Sequence, residues 1–466
     1  MVAPRRSIPG VDFQAIRDEL EIPRDFPPDV LAQAARAAAE PAMPAADDTA
    51  LPLVTLDPAA STDLDQAVHI AAEGDGYVVS YAIADVAAFI RPDTALDTEC
   101  WSRGTTMYSP DIRTPLHPPV LSEAAASLLP DQVRPAVLWQ FTLDSTGAVI
   151  AHALRRTTVR SIAKLDYASV QANFDGSGAP HPSLALLNEV GERRLQIAQQ
   201  RHAINLDLPE QEVDQALNGG WMLTYRHQLP CESWNAEISL MTGMVAGQMM
   251  IDAGIGILRT LPPADENTIK QLRMTAIALG IDWPDGAHPS DILAQLDRSS
   301  PRAFAFIEQS AHLLRGAGYK NFEGQAPSGP EHAGIGAAYA HVTAPLRRLV
   351  DRFGNEVCLA IAAGVDVPQW ARAALPRLSD AMNAARNRES RLENAVVDTM
   401  EALLLADRVG QQFDAVVVDQ SKGAVTVVLD DPAVRAKAAG SAAIGEQVQV
   451  TLTAANPASH QVSFKL

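Results

Sequence analysis

The sequence is poor in cysteine, in positive charge and in long apolar runs, and each shortage excludes something. Its three cysteines, Cys100, Cys231 and Cys358, show neither a CxxC pair nor metal-finger spacing. That excludes a disulfide scaffold and a zinc finger, and it leaves core residues or free thiols in a reducing compartment. No apolar run approaches the roughly 18 residues that a spanning helix needs. The N-terminus opens with a small basic cluster but carries no signal-peptide apolar region, so a cytoplasmic protein without membrane attachment is expected. Positive charge is scarce: 37 Lys and Arg against 56 Asp and Glu give a net charge of −19. Polyphosphate binding needs local positive potential, so net charge alone argues against nucleic acid. An RNA-binding reading requires basic groups gathered in a channel beneath an acidic exterior. The remainder, 47% hydrophobic and 20% charged, is ordinary globular composition, and 466 residues suffice for a large core plus one or two small domains.

What the chain does have is concentrated in Leu53-Val54-Thr55-Leu56-Asp57-Pro58-Ala59-Ala60-Ser61-Thr62-Asp63-Leu64-Asp65-Gln66-Ala67. The stretch begins as a short apolar, β-prone run and breaks at Pro58, which predicts Asp57 at the carboxyl end of a strand. Asp63 and Asp65 stand two apart, and in extended backbone that spacing points both carboxylates to one side. Three carboxylates converging from a strand end and a loop suit a hard cation such as Mg²⁺, which takes oxygen ligands and keeps positions open for water and phosphate. A solvated acidic loop has the same spacing, and most such clusters bind nothing.

The neighbouring residues shift the balance between these readings. The stretch resembles the signature of the ribonuclease II (RNB) family of 3′→5′ exoribonucleases, roughly T-[IM]-D-P-x-x-[AS]-x-D-x-D-D-A. Asp57, Asp63 and Asp65 fall on three of its four acidic positions, Pro58 and Ala67 also match, and Gln66 stands in place of the fourth acid. The resemblance continues through Ile83-Ala84-Asp85-Val86, Thr94-Ala95-Leu96-Asp97, Arg103-Gly104-Thr105-Thr106-Met107-Tyr108 and Arg160-Ser161-Ile162-Ala163-Lys164-Leu165-Asp166-Tyr167. Tyr339-Ala340-His341-Val342-Thr343-Ala344-Pro345-Leu346-Arg347-Arg348-Leu349-Val350-Asp351 is similar to the family's H-F-T-S-P-I-R-R-Y-x-D, with departures at Val342, Ala344, Leu346 and Leu349. Pro345 is expected to break the backbone and let a helix start nearby, with Arg347 in its first turn. Adjacent arginines suit phosphate, because guanidinium forks bind two oxygens at once. Helical spacing from Glu232 to Met241 predicts a core helix; of the family's paired glutamates there, Glu237 remains and Ala236 occupies the other position.

Along the chain, residues 1–45 read as a helical N-terminal segment and possible small nucleic-acid-binding module, with Phe13, Ile16 and Leu20 on one face and Asp29 capping a second helix from Val30. The cold-shock domains that precede the nuclease domain in many relatives do not fit in so short a space. Ala67–Ala72 and Tyr77–Ile83 read as a hairpin turning at Glu73-Gly74-Asp75-Gly76, and Leu138–Leu143 as a strand. From about Ser183 to Arg315 the periodicity is mostly helical, and Arg386 to Arg408 reads as a long charged helix. The tail from about Gln411 shows short alternating strands, which fit an OB-fold barrel. Gly445-Glu446-Gln447-Val448-Gln449-Val450 resembles the G-D-x-V-x-V signature of S1-type RNA-binding domains.

The resemblance thus implies an α+β protein: an RNB catalytic domain over 46–408, with a mixed sheet surrounded by helices around an RNA channel, and an S1-type OB-fold barrel over 409–466. It implies a hydrolytic 3′→5′ exoribonuclease that degrades single-stranded RNA to nucleoside 5′-monophosphates, acting as a monomer. One or two Mg²⁺, replaceable by Mn²⁺, would be held by Asp57, Asp63, Asp65 and Gln66. Asp65, Asp63 and Arg347 are the implied catalytic residues. Tyr108, Arg347, Arg348, Glu393 and Glu237 are the implied substrate-binding ones, with Tyr108 stacking on the terminal base and Arg347 stabilising transition-state charge. The family's second stacking residue, a phenylalanine, falls near Val213. The alternative is a catalytically weakened or inactive RNB-fold RNA-binding or regulatory protein, because Gln66 replaces an acid. A phosphodiesterase or DNA nuclease is a third option.

Overall fold

Five strands with alternating or continuous buried faces close into a barrel in the first half of the chain. The computed structural model describes residues 7–217, 219–298 and 300–466. The strands are β1 (Leu53–Asp57), β2 (Gln66–Glu73), β3 (Gly76–Ala84), β4 (Val133–Leu143) and β5 (Val149–Asp166). They pair in sequence order, and β1 returns to close the ring by running parallel to β5, from Leu53 beside Ser161 to Asp57 beside Asp166. The expected mixed sheet is therefore a closed barrel. β1 is buried on four successive residues before Asp57, as a strand covered on both faces should be. The β2–β3 turn leaves Gly74-Asp75 between the paired Glu73 and Gly76, and Gly74 takes the positive φ of 58° that a tight hairpin needs. Trp139 and Phe141 are fully buried from β4.

Helices wrap this barrel. Pro230–Ala253, Leu349–Ala363 and the 37-residue Gln369–Leu405 carry most of the remaining core. The last is about 55 Å long at 1.5 Å per residue and reaches from the helix Leu349–Ala363 to the C-terminal barrel. The N-terminal helix Phe13–Glu19 buries Phe13 and Ile16 against Trp221, Leu392 and Val396. The second helix is Pro28–Ala39, so Asp29 lies in its first turn rather than capping it; Pro28 starts the helix because its missing N–H costs nothing there. Between 183 and 315 the chain is not all helix. Glu210–Gln215 and Trp221–Arg226 form a hairpin, and Ile255–Thr260 pairs with the later Gly318–Glu323.

The tail is a second closed barrel of five strands, β6 (Gln412–Ser421), β7 (Ala424–Leu429), β8 (Val434–Ala439), β9 (Gln447–Asn456) and β10 (Gln461–Lys465), ordered β6-β7-β8-β10-β9. This is the OB-type architecture expected of it. β8, Val-Arg-Ala-Lys-Ala-Ala, alternates buried and exposed, but its alanines make that pattern faint in sequence.

Candidate active site

Three separate stretches meet at the open end of the first barrel. Asp57 ends β1, and the chain then loops back to start β2 at Gln66. Leu64 plugs this loop into the core, and Ser127 ties it down by accepting from the Leu64 N–H (2.9 Å) and donating to the Thr62 carbonyl (2.7 Å). Asp63 and Asp65 therefore flank an anchored leucine. Asp65 is buried, and its Oδ1 accepts from the Leu346 N–H at 2.7 Å. Arg347 Nε stands 3.5 Å from Asp65 Oδ2, while nearly half of the Arg347 side chain remains exposed. Asp57 lies within electrostatic reach of both Arg347 and Asp63.

The arginine block is stitched to the tyrosine block. The Thr106 N–H and the Thr105 hydroxyl both donate to the Arg347 carbonyl at 2.9 Å. Gly104, at φ 72°, lies against the long helix so closely that a Cβ would sit 2.6 Å from Ala385 Cβ. That approach brings Glu389 and Glu393 of the helix to the same opening as Tyr108. The helix after Pro345 begins at Leu349, not at Arg347. Asp351 delays it: its carboxylate accepts from the Ala344 N–H at 2.7 Å and takes both Arg348 nitrogens at 2.9 and 2.8 Å. Arg348 thus sits clamped at the N-cap position without a side-chain capping bond, and Arg347 is left in the turn with its guanidinium partly exposed.

Together these elements enclose a cleft of about 500 Å³ lined by Tyr108, Arg347, Arg348 and Glu393, with Arg259, Tyr319, His341, Arg386 and Glu389. Four arginines oppose two glutamates there. The cleft gathers positive charge that the net −19 conceals. Tyr319 donates to or accepts from His341 Nδ1 at 2.8 Å, and Arg259 lies over the Tyr319 ring at 4.7 Å. Burial and the neighbouring Glu393 push Glu389 up to about 7. None of Arg259, Tyr319, Arg386 or Glu389 was visible as a site residue in sequence, because each sits in an unremarkable strand or helix.

At the acidic end of the site burial outweighs the nearby positive charge. Burial pushes Asp57 up to about 6 and Asp65 up to about 8, in spite of Arg347. Asp57 Oδ2 is buried without a hydrogen-bond partner. These are the marks of oxygens that suit a cation. Among the described residues, however, no three His, Cys, Asp or Glu side chains form a ready-made metal cage. Asp63 explains part of this, because Arg113 ion-pairs with it and the Tyr108 hydroxyl lies 3.3 Å from its Oδ2. Gln66 explains more: its amide nitrogen donates to the Thr343 carbonyl at 2.5 Å, so the residue replacing the fourth acid bridges two motifs.

Other expected residues lie elsewhere. Glu237 does not reach the cleft. On its helix, Asn235 and Ser239 face the site, bonding the Tyr167 hydroxyl (3.0 Å) and the Thr343 hydroxyl (2.8 Å), and Glu237 projects from the opposite side toward Arg201. Helical spacing separates 237 from 235 and 239 by most of a half turn. Val213 packs in the hairpin beside Trp221 and Leu392, so it serves the core rather than stacking on a base. Asp85, an acid near the motif, is taken by Arg156, which also reaches Glu356. All three cysteines are buried free thiols. Among the described residues, no helix is long and apolar enough to cross a membrane.

Residues 46–355 match the RNB domain, and residues 411–466 match the RNase II-type exonuclease C-terminal S1 domain. The chain belongs to the RNB family. Relatives of this RNB protein include Exoribonuclease 2 of Photorhabdus laumondii, 29% identical over 402 residues that cover 83% of this chain and 61% of the relative. Ribonuclease R of Escherichia coli is 25% identical over 416 residues, covering 82% of this chain and 49% of the relative. The RNB protein thus spans about three-fifths or less of the curated relatives it matches. Its fold matches RNase R of Mycoplasma genitalium, solved in complex with ribose-methylated single-stranded RNA, with TM-score 0.87, 19% identity and coverage of 97% of this chain and 77% of that one. It also matches yeast Ssd1, described as a pseudonuclease, with TM-score 0.69, 15% identity and coverage of 94% and 52%. A fold shared with both leaves catalysis to be argued from the residues.

Proposed function

We propose that this RNB protein is a divalent-metal-dependent hydrolytic exoribonuclease that shortens single-stranded RNA from its 3′ end and releases nucleoside 5′-monophosphates. One observation carries the reading: a half-exposed Arg347 guanidinium stands between buried Asp65 and an arginine-rich cleft that also holds Tyr108 and Glu393. Asp57 and Asp65, with Asp63 and Gln66 beside them, would hold Mg²⁺ or Mn²⁺. A bound ion supplies Lewis-acid stabilisation of phosphate charge. Arg347 holds the extra charge that develops on the reacting phosphate, and Arg348, fixed by Asp351, contacts the next one. Tyr108 presents a half-exposed ring on which any terminal base can stack. The buried free cysteines fit a cytoplasmic enzyme, and we take it to act as a monomer. Incubation with 5′-labelled single-stranded RNA and DNA, with and without EDTA, tests this: RNA alone is shortened, and only without chelator. Cleavage of DNA at a similar rate, or of RNA in EDTA, would overturn it.

A second reading, an RNA-binding protein with weakened catalysis, is favoured by Gln66 and by the Arg113–Asp63 ion pair. Gln66→Asp bears on it. The carboxylate adds full charge near the ion but cannot donate to the Thr343 carbonyl. The Mg²⁺ concentration for half-maximal activity is expected to fall about tenfold, or roughly 1.4 kcal/mol, while the melting temperature in EDTA drops. An unchanged Mg²⁺ midpoint would place residue 66 away from the ion.

Two further outcomes follow from the site. Removing the ring in Tyr108→Ala is expected to weaken the grip on the last nucleotides by about 1–3 kcal/mol and to shift the length of the limit product; an unchanged ladder would count against stacking. Asp57 and Asp65 titrate above the usual 3.8, so the folded state keeps protons that the unfolded chain releases. Their contribution to stability is therefore lost as pH rises from about 4 to about 8. Mg²⁺ favours the ionised carboxylates, so its stabilising effect in thermal melts should be larger at about pH 8 than at about pH 5. An equal effect at both would mean that the ion binds elsewhere.

A further inference from the structure

The helix Pro230–Ala253 has the catalytic site on one face and, on the other, a separate cavity of about 460 Å³. That volume is typical of a small-ligand pocket. Arg201, Glu237 and His332 line it, with Leu195, Ile204 and Leu240 as apolar wall. Among the described residues, both terminal nitrogens of Arg201, Glu237 Oε2 and His332 Nδ1 are buried without a hydrogen-bond partner. Such atoms are rare in native proteins unless something else satisfies them, and here they converge on one space. Arg201 is held in place by its Nε, which donates to the Ile335 carbonyl at 2.7 Å, so the two-pronged end of its fork is left over. Arg201 and Glu237 are 3.5 Å apart, an ion pair without an aligned hydrogen bond. Arg194 also faces Glu237, so two guanidinium groups share one carboxylate. A buried positive charge in excess is costly, and an oxyanion would balance it.

We propose that this cavity is a second ligand site that takes a nucleoside 5′-monophosphate, its phosphate on Arg201 and a hydroxyl or amino group of the nucleoside on Glu237. The planar fork suits two phosphate oxygens, Glu237 Oε2, ion-paired but without an aligned hydrogen bond, can take a donor, and the apolar wall accommodates the rest of the molecule. The choice of a nucleoside monophosphate, the expected reaction product, rests on the proposed function; the oxyanion site itself does not. Calorimetric titration of the whole protein in EDTA, with no turnover, separates the two claims. Adenosine 5′-monophosphate is expected to bind one per chain, and inorganic phosphate and adenosine each at least about tenfold more weakly. Arg201→Leu should weaken nucleotide binding by about tenfold or more, and Leu240→Trp, which puts bulk into the cavity and keeps both charged side chains, should do the same if the arginine variant fails to fold. Arg347→Ala, in the catalytic cleft, should leave it unchanged. No binding to the wild-type protein would overturn the site, as would binding lost with Arg347 but kept in both cavity variants. Equal affinity for inorganic phosphate would overturn the nucleotide.

Discussion

Asp65→Asn is expected to reduce RNA hydrolysis by at least about 10²–10³-fold while leaving RNA affinity nearly unchanged. The asparagine is the same size, and its side-chain oxygen can still accept from the Leu346 N–H, so the Asp65 loop and the arginine block stay joined. What disappears is a carboxyl beside Arg347 that a divalent cation would ionise and bind. On the proposed reading, that ionised form holds the divalent cation and aligns the guanidinium, whereas RNA affinity would come mostly from phosphate contacts elsewhere in the cleft. The measurement is a single-turnover rate beside an equilibrium binding curve on the same RNA. Full activity in the variant would remove Asp65 from the site. Burial keeps this carboxyl up at about 8, so the variant should also lose less stability than a buried charge normally costs, and in metal-free buffer it should melt no lower than wild type.

Arg347→Ala should lower kcat and kcat/KM together, by about 10²–10³-fold. Among the described residues, its guanidinium has only the 3.5 Å ion pair with Asp65 and no hydrogen-bonded carboxylate, unlike Arg348, which Asp351 clamps with two bonds. An arginine left this free serves the ligand, and one that acts mainly in the transition state leaves KM little changed. A rise in KM with kcat unchanged would make Arg347 a plain phosphate-binding residue. Arg348→Ala is the natural comparison, since it also removes the partner of fully buried Asp351 and should cost folding stability as well.

Much of this site was legible in sequence because it consists of contiguous motifs. Asp57 at a strand end, the spacing of Asp63 and Asp65 and the Arg347-Arg348 pair follow from local residue order, whereas the anchoring of their loop by distant Ser127 does not. The first barrel was only half visible, since its closure is a parallel pairing between Leu53–Asp57 and a strand more than a hundred residues away, and local periodicity carries no record of such a partner. The start of the helix at Leu349 was missed because a side chain, Asp351, captures the preceding N–H and shifts the boundary. Glu237 was misplaced for a different reason. Motif alignment gives a helix position to within a residue, and one residue on a helix is about 100° of rotation, enough to move a side chain from the cleft to the cavity behind it. Arg259 and Glu389 reach the cleft through tertiary packing alone. The arginine-rich lining also shows why net charge misled: a charge sum has no positions in it.

The most direct test is a time course on one RNA carrying separate labels at its two ends, analysed for mononucleotides. The account predicts that the 3′-terminal label appears at once as nucleoside 5′-monophosphate while the 5′ label stays in a progressively shortened chain, and that both changes stop in Asp65→Asn. Release of the 5′ label first, internal cuts with no early mononucleotide, or a nucleoside diphosphate or 3′-phosphate as product would contradict it.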